Sequence, residues 1–242
     1  MNELLVFCLI CCLGMFIQSF VGFAGSLVAI PLFSLFLSPK MAVPTYNLVM
    51  LVVSILLIFE VWAHIEWKRV GRLLIGGLAG VPVGAYGLKH MPLHTLGLII
   101  SIVTMTFAVL FLFKVRIRLR ENIPTETGVG LLSGLLGGAI SESGPPVVIY
   151  GLARGWDKNT FRATLLTYFF FLCVMANLCY LYLGLFSMES VRTAGAGILP
   201  TIAATAAGIW VKNRVNEAFF RRAVLVIIIA VALIGFLRYT FG

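Results

Sequence analysis

The sequence predicts an all-α integral membrane protein with about six full transmembrane helices and two further apolar segments that are broken by Gly and Pro. Three observations support this fold class. Of the 242 residues, 61% are hydrophobic and only 11% are charged, which is more apolar surface than a soluble domain buries. The apolar residues form runs of about 20 residues, the length of a helix that crosses a bilayer. The basic residues lie in the short connections between these runs.

Six of the apolar runs are uninterrupted and are predicted to be spanning helices. They are residues 42–62, 70–88, 93–113, 163–184, 192–211 and 222–240. Two other runs are irregular. Residues 4–37 are interrupted by Gly22, Gly25 and Pro31, and residues 127–151 are rich in Gly and Pro and contain a charged residue, Glu142. Irregular backbone at membrane depth is tolerated only where it is buried in protein or lines a cavity, so these two broken segments are the first candidates for a functional site.

The two broken segments resemble each other in the order of their residues. In a gapped alignment the matches are Gly14 with Gly130, Ser26 with Ser141, and Pro31 with Pro146. A short polar turn follows each segment, and a helix that begins near a threonine comes next. We therefore predict two membrane repeats, residues 1–115 and 124–242, which are joined by a basic loop at 116–123. Matching broken segments in two halves of a chain are typical of secondary transporters.

The distribution of the 18 Lys and Arg residues predicts the topology. If each broken segment crossed the membrane once, these residues would divide evenly between the two sides. If each segment instead returns to the side from which it entered, fourteen collect on one face of the bilayer, and only Lys40, Lys89, Arg192 and Arg238 remain on the other. Because basic residues concentrate in cytoplasmic loops, the second arrangement is favoured. It implies inverted halves, with both termini outside the cytoplasm.

The net charge of +9 does not indicate nucleic-acid binding. Basic residues in short loops between apolar runs are typical of topology signals and of contacts with lipid headgroups. The five cysteines lie inside apolar segments, and the three histidines lie near helix ends. Neither set has metal-ligand spacing. The sequence therefore predicts that the chain interacts with a lipid bilayer. It predicts no nucleic-acid partner, no metal, no cofactor and no catalytic residue.

The broken segments contain groups that suit an anion. The first N–H groups of a helix lack intrahelical acceptors and attract negative charge, glycine lets a ligand approach the backbone, and serine adds a donor. The resulting candidates for substrate binding are Gln18, Gly22, Gly25 and Ser26 in the first segment, and Gly138, Ser141, Ser143 and Gly144 in the second. The alternative for several glycines is helix packing. Gly130, Gly134 and Gly138 are spaced four residues apart, as are Gly76, Gly80 and Gly84, a spacing that lets membrane helices approach closely.

Two charged residues near the second broken segment are candidates for ion coupling. Glu142 is the one acid deep within an apolar segment, and burial favours the protonated form of a carboxyl group, so Glu142 is our candidate for carrying a proton. The alternative is a carboxylate that caps backbone donors at the edge of the protein. Arg162 begins the next helix and has a planar guanidinium that suits a tetrahedral oxyanion. The alternative for Arg162 is an ordinary anchor at the cytoplasmic surface of the membrane. Glu60, at the end of the predicted helix 42–62, is expected to lie at the membrane interface.

Three polar residues on neighbouring helices complete the set of substrate-binding candidates: Thr45, Asn47 and Thr164. For such polar residues in spanning helices, hydrogen bonding between helices is the alternative.

With these motifs in view, the chain resembles the sulfite exporter TauE/SafE-like family of membrane permeases. The matching stretches are Gly22 to Ser26 with Pro31, Ser38 to Ala42, and Gly130 to Gly138 with Pro146. The resemblance implies about eight apolar segments in two similar halves, and export or uptake of small sulfur-containing or organic anions. The family's second broken segment is usually rich in glycine where this chain has Ser141-Glu142-Ser143.

These observations predict a secondary transporter that moves a small anion, such as sulfite, a sulfonate or another sulfur-containing or organic anion. The membrane is expected to be the bacterial inner membrane, the mechanism alternating access, and the coupling ion a proton. No Walker A motif is present, so the chain does not itself hydrolyse ATP. The alternatives are a passive anion channel and a membrane-embedded enzyme, for which Ser141 and Glu142 are the candidate pair. The sequence gives no indication of the oligomeric state.

Overall fold

The computed structural model describes residues 3–113, 120–212, 214 and 217–241, and in this part of the chain all regular structure is helical. The ten α-helices are α1 Glu3–Val21, α2 Gly25–Phe36, α3 Pro39–Val61, α4 Trp67–His90, α5 Leu93–Leu112, α6 Ile123–Ile140, α7 Gly144–Ala153, α8 Lys158–Tyr182, α9 Met188–Lys212 and α10 Glu217–Phe241. A single 3₁₀ turn, Trp62–His64, follows α3. The all-α class is confirmed.

Six helices in the described residues are long and apolar enough to cross a membrane: α1, α3, α4, α5, α8 and α9. Five of them cover predicted uninterrupted segments. The sixth predicted segment, 222–240, lies on α10, whose described apolar part is Val224–Thr240. The remaining long helix, α1, comes from the first broken segment, so this segment contains one full-length helix and one short one. The chain is a multi-pass membrane protein.

Side-chain caps explain where two helices of the second half begin. The Asn122 side chain accepts a hydrogen bond from the Thr125 N–H at 2.9 Å, immediately before α6. The Asp157 carboxylate accepts the N–H groups of Asn159 and Thr160 at 3.0 and 3.1 Å, so α8 begins five residues before the predicted start at 163. Hydrogen bonds from the Thr160 side chain and backbone hold the pKa of Asp157 below its ordinary value, as expected for a capping carboxylate.

The helices pack into two compact units. The first contains α1, α2, the part of α3 up to Val49, α5, α9 and α10, and the second contains α3 from Met50, α4, α6, α7 and α8. In the first unit α1 packs on α9 and α2, and α10 packs on α5 and α2; in the second, α4 packs on α6 and α8. Each unit therefore takes helices from both sequence halves, and the division into two repeats stays a prediction.

The first broken segment is an antiparallel hairpin of α1 and α2. Near its open end, the Phe7 and Phe33 rings stack with their centroids 5.2 Å apart. Near the turn, the Gln18 Oε1 atom accepts the Gly25 N–H at 3.1 Å. The chain therefore enters and leaves at the same end of the first unit, as the charge distribution predicts.

The second broken segment forms a hairpin of α6 and α7 in the second unit. At its open end the Tyr150 hydroxyl donates to the Glu126 carboxylate at 3.0 Å. Near its turn the Ser133 hydroxyl donates to the Ser143 carbonyl at 2.5 Å. This segment too enters and leaves its unit at one end.

Two rows of glycines bring α4 and α6 together. A side chain on any of the six would collide with the backbone of the facing helix. The six residues are Gly76, Gly80 and Gly84 on α4, and Gly130, Gly134 and Gly138 on α6. For the α4 row, the alternative of helix packing is therefore confirmed, and the α6 row packs in the same way.

The described ends of the chain lie at the same end of the first unit. The Tyr239 hydroxyl in α10 donates to the Ser34 carbonyl at 2.7 Å, and Arg238 donates to the Leu35 carbonyl. Both acceptors are in the last turns of α2, beside the start of α1. This arrangement agrees with the prediction that both termini face one side of the membrane.

The predicted topology is tested with single cysteines in a background that lacks the five native ones. Ser38 and Asn159 are both exposed, and the charge distribution places them outside and inside the cytoplasm respectively. We expect a membrane-impermeant maleimide to label Ser38→Cys in intact cells, and Asn159→Cys only after permeabilisation. The opposite labelling pattern, or equal labelling of both in intact cells, would reject the topology.

Candidate functional site

The turn of the first hairpin, residues 22–26, is a buried group of backbone donors that we call the first tip. Gly22 has a φ of +99°, which favours glycine, and its N–H donates to the Gln18 carbonyl at 2.7 Å. The Gln18 side chain accepts the Gly25 N–H. The next N–H groups, of Ser26 and Leu27, belong to the first turn of α2, where no intrahelical acceptor exists. Gln18 and Ser26 are buried, so the tip presents oriented donors away from bulk water.

Gly25 has a packing role in the first tip. A methyl group at Gly25 would lie 2.6 Å from the Gly14 carbonyl oxygen and 2.7 Å from the Gln18 Cβ atom. The space that the missing side chain leaves is therefore filled by the other leg of the hairpin. Substrate contact at Gly25 stays a prediction, and it would involve the backbone only. The Phe23 ring packs edge-on against Phe111 of α5, with centroids 5.4 Å apart.

The turn of the second hairpin, residues 141–144, has a different chemistry, and we call it the second tip. Ser141 is the single non-glycine residue with a positive φ, +56°, in the described chain, and such a conformation in serine is uncommon. The Ser141 N–H donates to the Gly137 carbonyl at 3.0 Å, and the Glu142 N–H donates to the Leu136 carbonyl at 3.4 Å, which closes the end of α6. Glu142 is fully buried.

The start of α7 offers fewer donors to an anion than the start of α2. Pro145 and Pro146 occupy its first turn and have no N–H groups, so within that turn only the Gly144 N–H remains. The expectation that both broken segments bind an anion through helix N-termini is therefore supported better at the first tip. A buried carboxyl group is the distinctive feature of the second tip.

Tyrosines of α8 hold the second hairpin in place, and the sequence reasoning missed them. The Tyr168 hydroxyl donates to the Gly130 carbonyl at 3.1 Å, and the Tyr180 hydroxyl donates to the Gly138 carbonyl at 2.8 Å. The Ser141 and Tyr180 side chains are also hydrogen-bonded to each other. The sequence did contain an indication of this role, because a tyrosine within a spanning helix needs a hydrogen-bond partner for its hydroxyl group.

Gly138 and Ser143 take part in this local structure. A side chain at Gly138 would collide with the Val81 carbonyl of α4, so the missing side chain at this position serves helix packing. The Ser143 carbonyl accepts the Ser133 hydroxyl.

The three candidates on neighbouring helices differ in how their polar groups are satisfied. The Thr45 hydroxyl donates to the Met41 carbonyl at 2.6 Å, and the Asn47 amide donates to the Val43 carbonyl at 3.3 Å, so both bond within α3. The Thr164 hydroxyl is fully buried and has no hydrogen-bond partner among the described residues, and the Thr167 hydroxyl shares this property. Buried polar groups are nearly always satisfied, so these two hydroxyls are exceptions, and substrate contact at Thr164 stays a prediction.

Arg162 forms an ion pair with Glu60, and the Nη2 and Oε2 atoms lie 2.7 Å apart. The expected interfacial position of Glu60 is consistent with its 27% exposed side chain. Arg162 and Glu142 do not form a common cluster. Leu172 of α8 lies beside Gly137, next to the second tip, and ten residues of helix separate it from Arg162, a rise of about 15 Å.

A second ion pair, between Arg72 and Glu126, could not be foreseen from the sequence. Glu126 is 1% exposed and lies 3.3 Å from Arg72 of α4, and it also accepts the Tyr150 hydroxyl. This network joins both legs of the second hairpin to α4. Within the described residues, no group of three His, Cys, Asp or Glu side chains is arranged to hold a metal ion.

Comparison with models of known protein families identifies a match over most of the chain. The family model described as Sulfite exporter TauE/SafE matches residues 6–234, which is nearly the whole chain and includes both tips. No curated protein and no solved structure matches the chain significantly.

Proposed function

This chain belongs to the sulfite exporter TauE/SafE family, a family of membrane transporters, and from that premise we propose that it is a secondary transporter of a small anion. The substrate is sulfite, a sulfonate or a related sulfur-containing or organic anion. Transport proceeds by alternating access across a bacterial inner membrane. The chain itself has no enzymatic activity in this proposal.

The first tip is the observation that carries the proposal. Removing an anion from water costs several kcal/mol unless other donors replace its hydration shell. The first-turn N–H groups of α2 and the Ser26 hydroxyl supply such donors at a buried helix N-terminus, where negative charge is favoured. The Gln18 side chain holds the turn in place through its bond to Gly25. A sulfonate or sulfite oxygen needs donors of this kind and no metal.

Other candidate residues assist at separate stages of transport. Arg162 attracts the anion at the predicted cytoplasmic end of the second unit, and the unsatisfied Thr164 hydroxyl offers a donor on the same helix. Glu142 carries a proton during the same cycle. A protonated Glu142 adds no negative charge to the path of the anion, so the proton and the anion favour each other's binding by a shared electrostatic effect.

Flux into proteoliposomes tests the proposal. Uphill movement of sulfite or of methanesulfonate that requires a proton gradient supports a coupled transporter. Movement that only follows the substrate gradient, at rates that do not saturate, indicates a passive channel. Chemical conversion of the anion indicates an enzyme, and the absence of any flux for sulfite, sulfonates and small carboxylates rejects the proposal.

Arg162 variants provide a quantitative prediction. Charge-assisted hydrogen bonds to an anion contribute a few kcal/mol, so we expect Arg162→Ala to raise KM at least about tenfold. Arg162→Lys keeps the charge but loses the planar fork, and we expect an intermediate effect. Arg69→Ala is the matched control, because Arg69 lies at the same end of the unit and pairs with Glu66 at 2.9 Å. Equal KM values for Arg162→Ala and Arg69→Ala would show that Arg162 is only an anchor.

A further inference from the structure

The acids at the end of the second unit are each matched to a particular basic residue. Glu66 pairs with Arg69, Glu126 with Arg72, and Glu121 with Arg154. Glu66 also accepts the Thr160 hydroxyl at 3.3 Å, and Glu126 accepts that of Tyr150. Glu60 is the acid that faces Arg162. The guanidinium to which we assign the anion therefore already holds a carboxylate.

From this pairing we infer that Glu60 is an internal competitor of the transported anion at Arg162. A carboxylate and a sulfonate make the same demand on a guanidinium, because each presents oxygens that accept its N–H groups. The anion must displace Glu60 in order to use these donors. Glu60 thereby raises the apparent Kd of the site, because every anion binds Arg162 in competition with this carboxylate. This inference rests on the proposed function.

The burial of the two side chains makes such an exchange feasible. The Arg162 side chain is 10% exposed, and the Glu60 side chain is 27% exposed. Glu60 lies in the last turn of α3, one residue before the helix ends. A carboxylate at this position can rotate into water when an anion replaces it, so no buried charge is left without a partner. A deeply buried pair such as Arg72 and Glu126 lacks this option.

The exchange also changes what holds the end of α3. The ion pair joins the last turn of α3 to the second turn of α8. When the anion takes the place of Glu60, this link between the two helices is lost. Binding of the substrate is thereby connected to a change in helix contacts, which an alternating-access cycle requires.

The test compares Glu60→Gln with Glu66→Gln in the purified full-length protein. Glutamine keeps the size of the side chain and removes the competing charge. For a partly exposed pair we expect Glu60→Gln to lower the Kd for sulfite and for methanesulfonate about fivefold. Glu66→Gln, which alters the neighbouring pair with Arg69, should leave both Kd values unchanged. Adding Arg162→Gln to Glu60→Gln should remove the gain.

The outcomes separate this inference from the proposed function. If the wild-type protein and Glu60→Gln bind the two anions with equal Kd, the competitor role is wrong while anion binding stands. If Glu60→Gln binds more weakly than the wild type, the carboxylate supports the anion site and the inference is overturned. If neither protein binds either anion, the proposed function itself fails.

Discussion

Replacing Glu142 with Gln is expected to abolish proton-driven accumulation of the anion while leaving exchange down a substrate gradient intact. Glu142 is fully buried at the turn between α6 and α7, and in the proposed cycle its carboxyl group binds and releases the coupled proton. Glutamine imitates the protonated form of this group but cannot release a proton. The variant should therefore bind the anion and move it through the protein, with the final distribution set by the substrate gradient alone. Radiolabelled uptake into proteoliposomes, with and without an imposed pH gradient, measures both properties.

Glu126→Gln is the control for this experiment, because Glu126 is the other deeply buried acid of the second unit. Its charge is balanced by Arg72, so we expect the substitution to lower stability and to leave the dependence on the proton gradient unchanged. If Glu142→Gln still accumulates the anion against its gradient with an unchanged pH dependence, Glu142 is not the coupling group. Its role is then to close the end of α6.

The fold could be predicted largely from composition because the bilayer imposes simple rules. A spanning helix needs about 20 apolar residues, and five predicted segments match long helices of the structure. The hairpin form of the broken segments could be predicted as well. The positions of Lys and Arg indicate on which side of the membrane a segment begins and ends. This indication does not require knowledge of the tertiary contacts between helices.

The partners of the charged residues could not be predicted in the same way. Glu60 and Arg162 are separated by 102 positions, and Arg72 and Glu126 by 54. No periodicity or local motif relates residues so far apart, because their contact depends on which helices become neighbours. The tyrosines of α8 show the same limit. The need of Tyr180 for a partner follows from its chemistry, but the Gly138 carbonyl as that partner follows only from the packing of α6 against α8.

The glycines show how one residue type serves different purposes. Gly22 adopts a positive φ at a turn, whereas Gly25 and Gly138 allow backbones to approach closely. The sequence pattern alone could not separate these roles, since all three lie in or beside a broken segment.

The two tips differ in the number of backbone N–H groups that they can offer to an anion. A helix N-terminus with free N–H groups suits an anion, whereas Pro145 and Pro146 remove donors from the second tip and leave the carboxyl group of Glu142 as its main polar feature.

Introducing a leucine at Gly134 is expected to prevent the second unit from folding. A side chain there would collide with the backbone of Gly77 on α4, and a backbone atom cannot move aside by changing rotamer. The two helices would have to separate along the whole glycine interface, where small residues allow close van der Waals packing in place of a hydrophobic driving force. We expect the free energy of unfolding to fall by more than about 4 kcal/mol, which is exceptional for a single substitution.

Gly128→Leu is the control for Gly134→Leu, because Gly128 lies on the same helix and has open space around its Cβ position. Size-exclusion chromatography and Tm in detergent should show a monodisperse, stable Gly128→Leu protein and an aggregated or absent Gly134→Leu protein. Equal Tm values for the two variants would mean that α4 and α6 do not approach as closely as the structure describes.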